Sequence, residues 1–331
     1  MLDVSGAFSV IDSHTAGHPT RVILSGIPKL SGANVREQRD FFRDNLDTLR
    51  PQLLHEPRGH AATVGLVPVP SAVADYGAFF ISSYIYLDMC GHGTIGYART
   101  LAATGQISQT STGDSFTLET PAGIVTVGLD WSNDGRLSGV RLRNVASRLA
   151  IEGLSIVVDG VGKLDIDIAY GGMWYAIADA AQLGLELRPD QVSRGLALGV
   201  AIKRAVNDEL ALRQTSSPSA VSSVLICRAT GPRAGTHLVV LASNKFDRSP
   251  CGTGTSARLA QLFAKGSIGK DETYGASNIL GLAFQGRIVA TTEENGLVAI
   301  VPEITGTAHI TAFSTIVVER TDPLAAGFLC S

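Results

Sequence analysis

Two stretches, CGHGTIGYARTLAATG (90–105) and CGTGTSARLAQLFAKG (251–266), decide the fold because they are two copies of one pattern. Aligned without gaps, the copies lie 161 residues apart, about half the length of the 331-residue chain. They share seven of sixteen residues, including the opening Cys-Gly and the closing glycine. The sequence therefore predicts two homologous halves, each of which contributes one cysteine, Cys90 or Cys251.

Each copy has the pattern of a helix that follows a strand. The copies open with glycines, continue with helix-forming residues and end on a glycine suited to a helix C-terminus. The preceding residues, GAFFISSYIYLDM (77–89) and GTHLVVLASNKF (235–246), are rich in β-branched and aromatic residues, which is typical of strands. We therefore expect each cysteine to lie at the N-terminus of its helix.

Further strands are predicted where apolar and polar residues alternate between glycine turns. These strands lie within 116–129, 139–145, 286–293 and 296–301. A length of 331 residues suggests two domains at about 100–200 residues each. The sequence thus predicts an α/β (α+β) protein whose domains are residues 1–150, with Cys90, and 151–331, with Cys251. The sequence also allows the C-terminal tail to pack back onto the first domain.

Two further helices are predicted outside the repeat. One spans 34–49, with Asn34 as its N-cap and Glu37 three residues later, as in a capping box. The other spans 189–207, where Pro189 suits the first turn. The face expected to be buried in this second helix carries Val192, Leu196 and Val200.

Composition and charge exclude several classes of protein. An apolar content of 45% with 17% charged residues indicates a folded core. A net charge of −3 gives no basic surface for nucleic acid or an anionic membrane. No segment has the ~18 uninterrupted apolar residues of a membrane span. The first residues show no signal-peptide pattern, so we expect a cytoplasmic protein with a small-molecule substrate.

The four cysteines do not form a disulfide framework or a zinc site. Cys90, Cys227, Cys251 and Cys330 are widely separated, without a Cys-x-x-Cys pair. Cys227 lies in an apolar, strand-like segment and is expected to be buried. Cys330 is next to the end of the chain and is taken as incidental. We therefore expect no bound metal.

The repeated cysteines suit acid–base chemistry. A helix N-terminus lowers the pKa of a thiol and binds carboxylates. Two such ends could hold one carboxylate while one thiolate removes a proton from Cα and the opposite thiol returns one to the other face. Nothing specifically indicates a phosphate loop or a Schiff-base lysine, so we expect no cofactor. His92 and Asp247 are the nearest candidates to bind the substrate nitrogen.

The segments MCGHGTIG (89–96) and DRSPCGTGTSA (247–257) resemble the two signature segments of the proline racemase and hydroxyproline epimerase family. The resemblance extends over nearly the whole chain, in the expected order. It includes IDSHTAGHPTRVI, HEPRGH, LETPAGIV, AYGGMWYAIADA, PEITGTAHIT and DPLAAGF. It implies two pseudo-symmetric domains of the diaminopimelate epimerase-like fold, each with strands wrapped on a central helix, and an active site in the cleft between them.

The resemblance also implies roles for individual residues. The residues that match the two acid/base thiols are Cys90 and Cys251. The backbone amides that match those holding the substrate carboxylate belong to Gly91, His92, Gly252 and Thr253. The side chains that match those near the substrate nitrogen are His92 and Asp247. Alternatives stay open, since His92 could only cap the helix and Asp247 could pair with Arg248.

The substrate is expected to be a proline-type imino acid. Relatives that dehydrate trans-3-hydroxyproline carry threonine in place of Cys251, so the second cysteine favours inversion. We expect 4-hydroxyproline 2-epimerase activity first and proline racemase activity second. A lyase that dehydrates 3-hydroxyproline and a non-catalytic imino-acid binder are the alternatives from other classes. The sequence leaves open whether the protein forms a homodimer.

Two departures from the family pattern bear on the substrate. Many relatives continue after His60 with an Asp-Met type stretch, whereas this chain has Ala61, Ala62, Thr63 and Val64. In the family this segment lies near the substrate ring, so His60 and Val64 are candidate pocket residues. His18 replaces a residue that is often glutamate or asparagine. Neither departure affects the two cysteines.

Overall fold

The computed structural model describes residues 3–213, 218–242, 245–294 and 296–330. The chain contains both strands and helices, with strands in the majority, which confirms the predicted mixed α/β class. The strands are β1 (Val4–Thr15), β2 (His18–Ile23), β3 (Val64–Val69), β4 (Tyr76–Ser82), β5 (Tyr86–Leu87), β6 (Ser115–Thr120), β7 (Gly123–Trp131), β8 (Leu137–Arg143), β9 (Arg148–Val158), β10 (Gly162–Tyr170), β11 (Trp174–Asp179), β12 (Ser223–Gly231), β13 (Ala234–Ala242), β14 (Lys245–Asp247), β15 (Thr273–Asn278), β16 (Ala283–Glu294), β17 (Leu297–Gly306) and β18 (Ala308–Glu319).

The helices are α1 (Val35–Leu46), α2 (Leu49–Leu54), α3 (Gly91–Ala103), α4 (Gln109–Thr112), α5 (Val192–Arg213) and α6 (Gly252–Ala264). None of the helices in the described ranges combines the length and the apolar character that a membrane span requires. Residues 243 and 244, inside the strand predicted at 235–246, lie outside the described residues.

The chain forms two compact units. Unit 1 comprises Met1–Leu142 and Gly306–Ser331, and unit 2 comprises Arg143–Thr305. The C-terminal strand β18 pairs with β1 in unit 1. The division into domains 1–150 and 151–331 stays a prediction.

The two units have the same order and direction of strand pairing. Neighbouring strands in unit 1 run β18, β1, β2, β3, β4, β6, β7, β8. In unit 2 they run β9, β10, β11, β12, β13, β15, β16, β17. In both series the third and fourth strands, and the fifth and sixth, are parallel, and the other neighbours are antiparallel. This shared pattern is the structural counterpart of the sequence repeat.

A buried helix lies against the strands of each unit. Helix α3 packs against β1, β2, β3 and β18, and helix α6 packs against β9, β10, β11 and β16. Most residues of both helices are buried, and several of these residues are small or apolar. The hydroxyl groups of Thr94 and Thr100 are buried in α3, and each donates a hydrogen bond to a backbone carbonyl four residues earlier. The predicted strands wrapped on a central helix are thus present in each unit.

The helix predicted at 34–49 is present as α1 and α2. Asn34 is the N-cap of α1, and its side chain accepts a hydrogen bond from the Glu37 N–H at 2.9 Å, as predicted. The chain then breaks between Leu46 and Leu49, so that the last predicted residue begins α2.

The helix predicted at 189–207 is present, but it continues further, and of its predicted apolar face Leu196 packs against the core whereas Val200 does not. Pro189 lies in a short 3₁₀ turn, and α5 begins at Val192 and continues to Arg213. Val200, expected to be buried, is 37% exposed. The buried residues are Gly195, Gly199, Ile202, Val206 and Leu210.

Two glycines explain why this other face of α5 is buried. A Cβ atom on Gly195 would lie 2.4 Å from Leu238 Cδ2, and one on Gly199 would lie 2.5 Å from Val240 Cγ2. Their missing side chains let α5 approach β13 closely. An apolar pattern that counts large residues therefore misses this contact surface.

Candidate active site

Cys90 occupies the N-cap position of α3, as predicted. Its backbone is extended (φ −143°, ψ 109°), and its carbonyl accepts the first helical hydrogen bond from the Thr94 N–H at 2.9 Å. The residue is only 7% exposed. The amides of Gly91 and His92 belong to the first turn of α3, where N–H groups carry the partial positive charge of the helix end.

The imidazole of His92 accompanies the Cys90 thiol. The Cys90 Sγ lies 3.4 Å from His92 Nδ1. The His92 carbonyl accepts a hydrogen bond from Thr15 Oγ1 at 2.8 Å, which fixes the first turn of α3 on β1. The ring of His18, buried in β2, lies 4.3 Å from that of His92 between centroids. The Cys90 thiol therefore has a group beside it that can donate or accept a proton.

His60 and Val64 occupy different environments in unit 1. His60 is exposed, and its Nδ1 accepts a hydrogen bond from the Ala62 N–H at 3.3 Å, within its own turn. Val64 is buried at the start of β3, where its neighbours across the strand pairs are Thr20 and Ser82. A role for either residue in a substrate pocket stays a prediction.

Cys251 is the N-cap residue of α6, again as predicted, but its backbone is strained. It has φ +67° and ψ 112°, a region that residues with side chains rarely adopt. Its carbonyl accepts the helical hydrogen bond from the Thr255 N–H at 2.8 Å. The residue is 6% exposed. Strain that the surrounding contacts maintain at a cysteine is a feature of functional positions.

Three groups surround the Cys251 sulfur. The Gly254 N–H donates a hydrogen bond to Sγ at 3.3 Å. The Tyr175 hydroxyl lies 3.3 Å from Sγ, and the Thr253 hydroxyl lies 3.5 Å from it. The two hydroxyl oxygens are 2.7 Å apart. Hydroxyl and thiol groups can each donate and accept hydrogen bonds. The side chains of Cys251, Tyr175 and Thr253 therefore form a triangle in which the direction of each hydrogen bond can reverse.

Asp247 shapes the turn that leads into Cys251. Its Oδ1 accepts hydrogen bonds from the Ser249 N–H at 2.9 Å and from the Ser249 hydroxyl at 2.8 Å. The Ser249 oxygen in turn accepts from the Cys251 N–H at 3.1 Å. The helix N-terminus is expected to lower the pKa of the Cys251 thiol, but burial, together with the negative charge of Asp247, raises it to about 12. At neutral pH the sulfur therefore carries its proton.

A second set of contacts holds the first turn of α6 against the segment before β11. The side-chain amide of Asn144 donates to the Gly171 carbonyl at 2.8 Å and to the Ser256 hydroxyl at 2.9 Å. The Ser256 hydroxyl donates to the Gly252 carbonyl at 2.9 Å. A Cβ atom on Gly171 would lie 2.2 Å from the Thr253 carbonyl oxygen. Only glycine permits this approach of the two backbones.

A buried histidine supports the residue before Cys251. In His237, Nδ1 lies 3.1 Å from the Pro250 carbonyl oxygen and Nε2 lies 3.0 Å from the Tyr274 hydroxyl. Burial lowers the pKa of His237 to about 4. The ring is therefore neutral at pH 7, with one nitrogen available as donor and the other as acceptor.

This neutral histidine makes stability depend on pH. The unfolded chain binds a proton at His237 below pH 6.5, whereas the folded chain does so only below about pH 4. The neutral His237 therefore makes its full contribution to the free energy of unfolding above pH 6.5. This contribution is lost as the pH falls, by about 2 kcal/mol between pH 7 and pH 5. Urea unfolding at both pH values should show a smaller loss in the free energy of unfolding for His237→Gln than for the wild type. An equal loss in wild type and His237→Gln contradicts the assignment.

The two repeat copies place different partners beside their thiols. His92 and Thr253 occupy the same position of the repeat, two residues after the cysteine, so an imidazole accompanies Cys90 and a hydroxyl accompanies Cys251. The structure brings the predicted residues of each copy together within their own unit. The contacts of Tyr175 and His237 were not predicted. Tyr175 lies in the segment AYGGMWYAIADA, but no pattern in the sequence pairs it with Cys251.

Comparison with known proteins identifies the family. The family model for proline racemase matches residues 10–329. The chain belongs to the proline racemase family. It is 37% identical to a proline racemase from Clostridioides difficile over 98% of each chain. It is also 37% identical to a 4-hydroxyproline 2-epimerase from Streptosporangium roseum, over 97% of this chain and 98% of that protein.

The solved structures agree with membership in the proline racemase family. A hydroxyproline epimerase from Agrobacterium vitis, solved with bound trans-4-hydroxy-L-proline, has a TM-score of 0.83 and 26% identity, and the match covers 98% of this chain and 96% of that one. The predicted isomerase class, that of racemases and epimerases, is confirmed. Relatives with two different substrate names are equally similar in sequence, so the family membership does not choose between those substrates.

Proposed function

We propose that the protein is a cofactor-independent 4-hydroxyproline 2-epimerase, which interconverts trans-4-hydroxy-L-proline and cis-4-hydroxy-D-proline. The observation that carries this proposal is the presence of Cys90 and Cys251 at the N-caps of two equivalent helices. Inversion needs a base and an acid of similar chemistry, since each takes the other's role in the reverse reaction. The relative solved with trans-4-hydroxy-L-proline supports the choice of substrate.

Cys90 and Cys251 form the acid/base pair in this proposal. The thiolate of Cys90 removes the Cα proton, and the thiol of Cys251 supplies a proton to the opposite face. The raised pKa of the Cys251 thiol supports its role as proton donor in this direction, because the sulfur carries its proton at neutral pH. In the reverse direction the two residues exchange roles, and the same transition state is crossed.

The low acidity of the Cα proton is the main barrier in such a reaction. The substrate carboxylate would accept hydrogen bonds from the amides of Gly91, His92, Gly252 and Thr253, which lie in the first turns of α3 and α6. These donors stabilise the negative charge that develops next to the carboxylate. The side chains of His92 and Asp247 would contact the substrate nitrogen. Burial of both thiols limits the water that competes with these contacts.

Proline is the second candidate substrate. The relative named as a proline racemase is as similar in sequence as the one named as a 4-hydroxyproline 2-epimerase. Both substrates need the same thiols and the same carboxylate donors. We propose a cytoplasmic location for the enzyme, because its thiols would stay reduced there.

Parallel assays of L-proline, trans-4-hydroxy-L-proline and trans-3-hydroxy-L-proline test the proposal. Polarimetry and chiral chromatography of the products should show the highest kcat/KM for trans-4-hydroxy-L-proline, with cis-4-hydroxy-D-proline as the product. A higher kcat/KM for L-proline would replace the assignment by proline racemase. A ketimine formed from trans-3-hydroxy-L-proline would make the protein a lyase. Binding of these compounds without turnover would leave only an imino-acid binder.

A further inference from the structure

Tyr175 is held rigidly beside the Cys251 thiol. It lies on β11, paired with Ala169 of β10 and Ser223 of β12, and is 1% exposed. Its ring belongs to an apolar cluster that includes Val239 and the cysteine itself. The backbone pairings and the packing leave the side chain little freedom, so its hydroxyl stays next to the sulfur.

The three hydrogen-bonding groups around Cys251 can serve both protonation states without movement of heavy atoms. When the sulfur is a thiol, its proton can point to a hydroxyl oxygen, and the Tyr175 proton can point to Thr253 at 2.7 Å. When the sulfur is a thiolate, the Tyr175 proton can turn to Sγ at 3.3 Å. The Gly254 N–H, at 3.3 Å, donates to the sulfur throughout.

The equivalent place in unit 1 holds a smaller residue. Tyr175 pairs with the first residue of β12, as Thr20 pairs with the first residue of β3, so strand register makes these two residues equivalent. The Cys90 thiol has the His92 ring beside it, with 3.4 Å between Sγ and Nδ1. The repeat shows the exchange of His92 for Thr253, but it does not show that a tyrosine hydroxyl lies beside the Cys251 sulfur.

We infer that Tyr175 is a positioning residue whose hydroxyl proton turns between Thr253 and the Cys251 sulfur as the thiol loses and regains its proton. This inference rests on the proposed function, because inversion is the reaction that takes the Cys251 sulfur through both the thiol and the thiolate state. The charged group that acts on the sulfur is Asp247, whose negative charge opposes formation of the thiolate. A donor that turns to the thiolate offsets part of that opposition. Burial raises the pKa of Tyr175 itself, so its hydroxyl keeps its proton.

The variant Tyr175→Phe removes the donor and keeps the ring. A hydrogen bond to a charged group is worth about one order of magnitude in an equilibrium or rate. We therefore expect kcat/KM to fall about tenfold for both stereoisomers, with the larger part of the change in kcat. The fall must be equal in the two directions because the equilibrium constant belongs to the substrates. The control Tyr97→Phe removes the hydroxyl of another buried tyrosine, on α3, and should keep wild-type kinetics.

Labelling of Cys251 by iodoacetamide, followed by mass spectrometry of its peptide, separates this role from a structural one. Loss of the donor disfavours the thiolate and should slow labelling about tenfold at fixed pH. A loosened structure would expose the thiol and speed labelling instead. Faster or unchanged labelling in Tyr175→Phe overturns the inference. This readout needs no turnover, so a wild-type protein without epimerase activity would refute the proposed function and leave the labelling test decisive for Tyr175.

Discussion

Cys90→Ala and Cys251→Ala are each expected to lower the rate of inversion by about a hundredfold to ten-thousandfold. Each change removes a general acid in one direction and a general base in the other, and such groups contribute about 10²–10⁴-fold. Because the two thiols act as one unit, the double variant should be little worse than either single variant. Polarimetry on trans-4-hydroxy-L-proline and on its epimer measures the rates in both directions.

The two other cysteines provide matched controls. Cys227→Ala changes a buried residue of β12, and Cys330→Ala changes an exposed residue near the C-terminus. Both variants should retain near wild-type rates. Cys227 lies within β12 rather than at a helix N-terminus, so its thiol lacks the amides that would hold a substrate carboxylate beside it. Near wild-type inversion by Cys251→Ala would refute the two-thiol mechanism.

Gly171→Ala is expected to damage both stability and activity. The new Cβ would lie 2.2 Å from the Thr253 carbonyl oxygen and 2.5 Å from the Ala257 nitrogen, and these backbone atoms cannot turn away as a side chain can. Overpacking of this kind costs about 1–3 kcal/mol in the free energy of unfolding. It also displaces the first turn of α6, and a displacement of about 1 Å can cost about a hundredfold in rate.

Urea unfolding and kcat measure the two effects of Gly171→Ala separately. Gly231→Ala is the matched control in the same unit, because its new Cβ meets nothing closer than Ala234 Cβ at 3.9 Å. That control should change the free energy of unfolding by less than about 0.5 kcal/mol. A Gly171→Ala protein with wild-type stability and kcat would show that the close approach to α6 is not required.

Features that depend on neighbouring residues were predictable from the sequence. The helices α3 and α6 have equivalent bounds in the two repeat copies, and both cysteines are N-caps, because glycine-rich starts and closing glycines act locally. The Asn34 cap of α1 is a contact between residues three apart. In each case the residues that determine the end of the helix lie close to that end in the sequence.

Features that depend on distant residues were not predictable. Tyr175 and Cys251 are 76 positions apart, and strand register rather than any local pattern brings the hydroxyl to the sulfur. The buried face of α5 was only partly predicted because Gly195 and Gly199 allow close packing without contributing apolar side chains. The strain at Cys251 likewise depends on the contacts around it, since the equivalent Cys90 has an ordinary backbone conformation.

Inversion in deuterium oxide tests the central claim most directly. In a two-thiol mechanism the base keeps the proton that it removes, and the opposite thiol delivers one that it has exchanged with solvent. At low conversion of trans-4-hydroxy-L-proline, nuclear magnetic resonance and mass spectrometry should therefore find deuterium at Cα of the epimerised product and almost none in the recovered substrate. Equal deuterium in both stereoisomers, or inversion without deuterium, would contradict the mechanism.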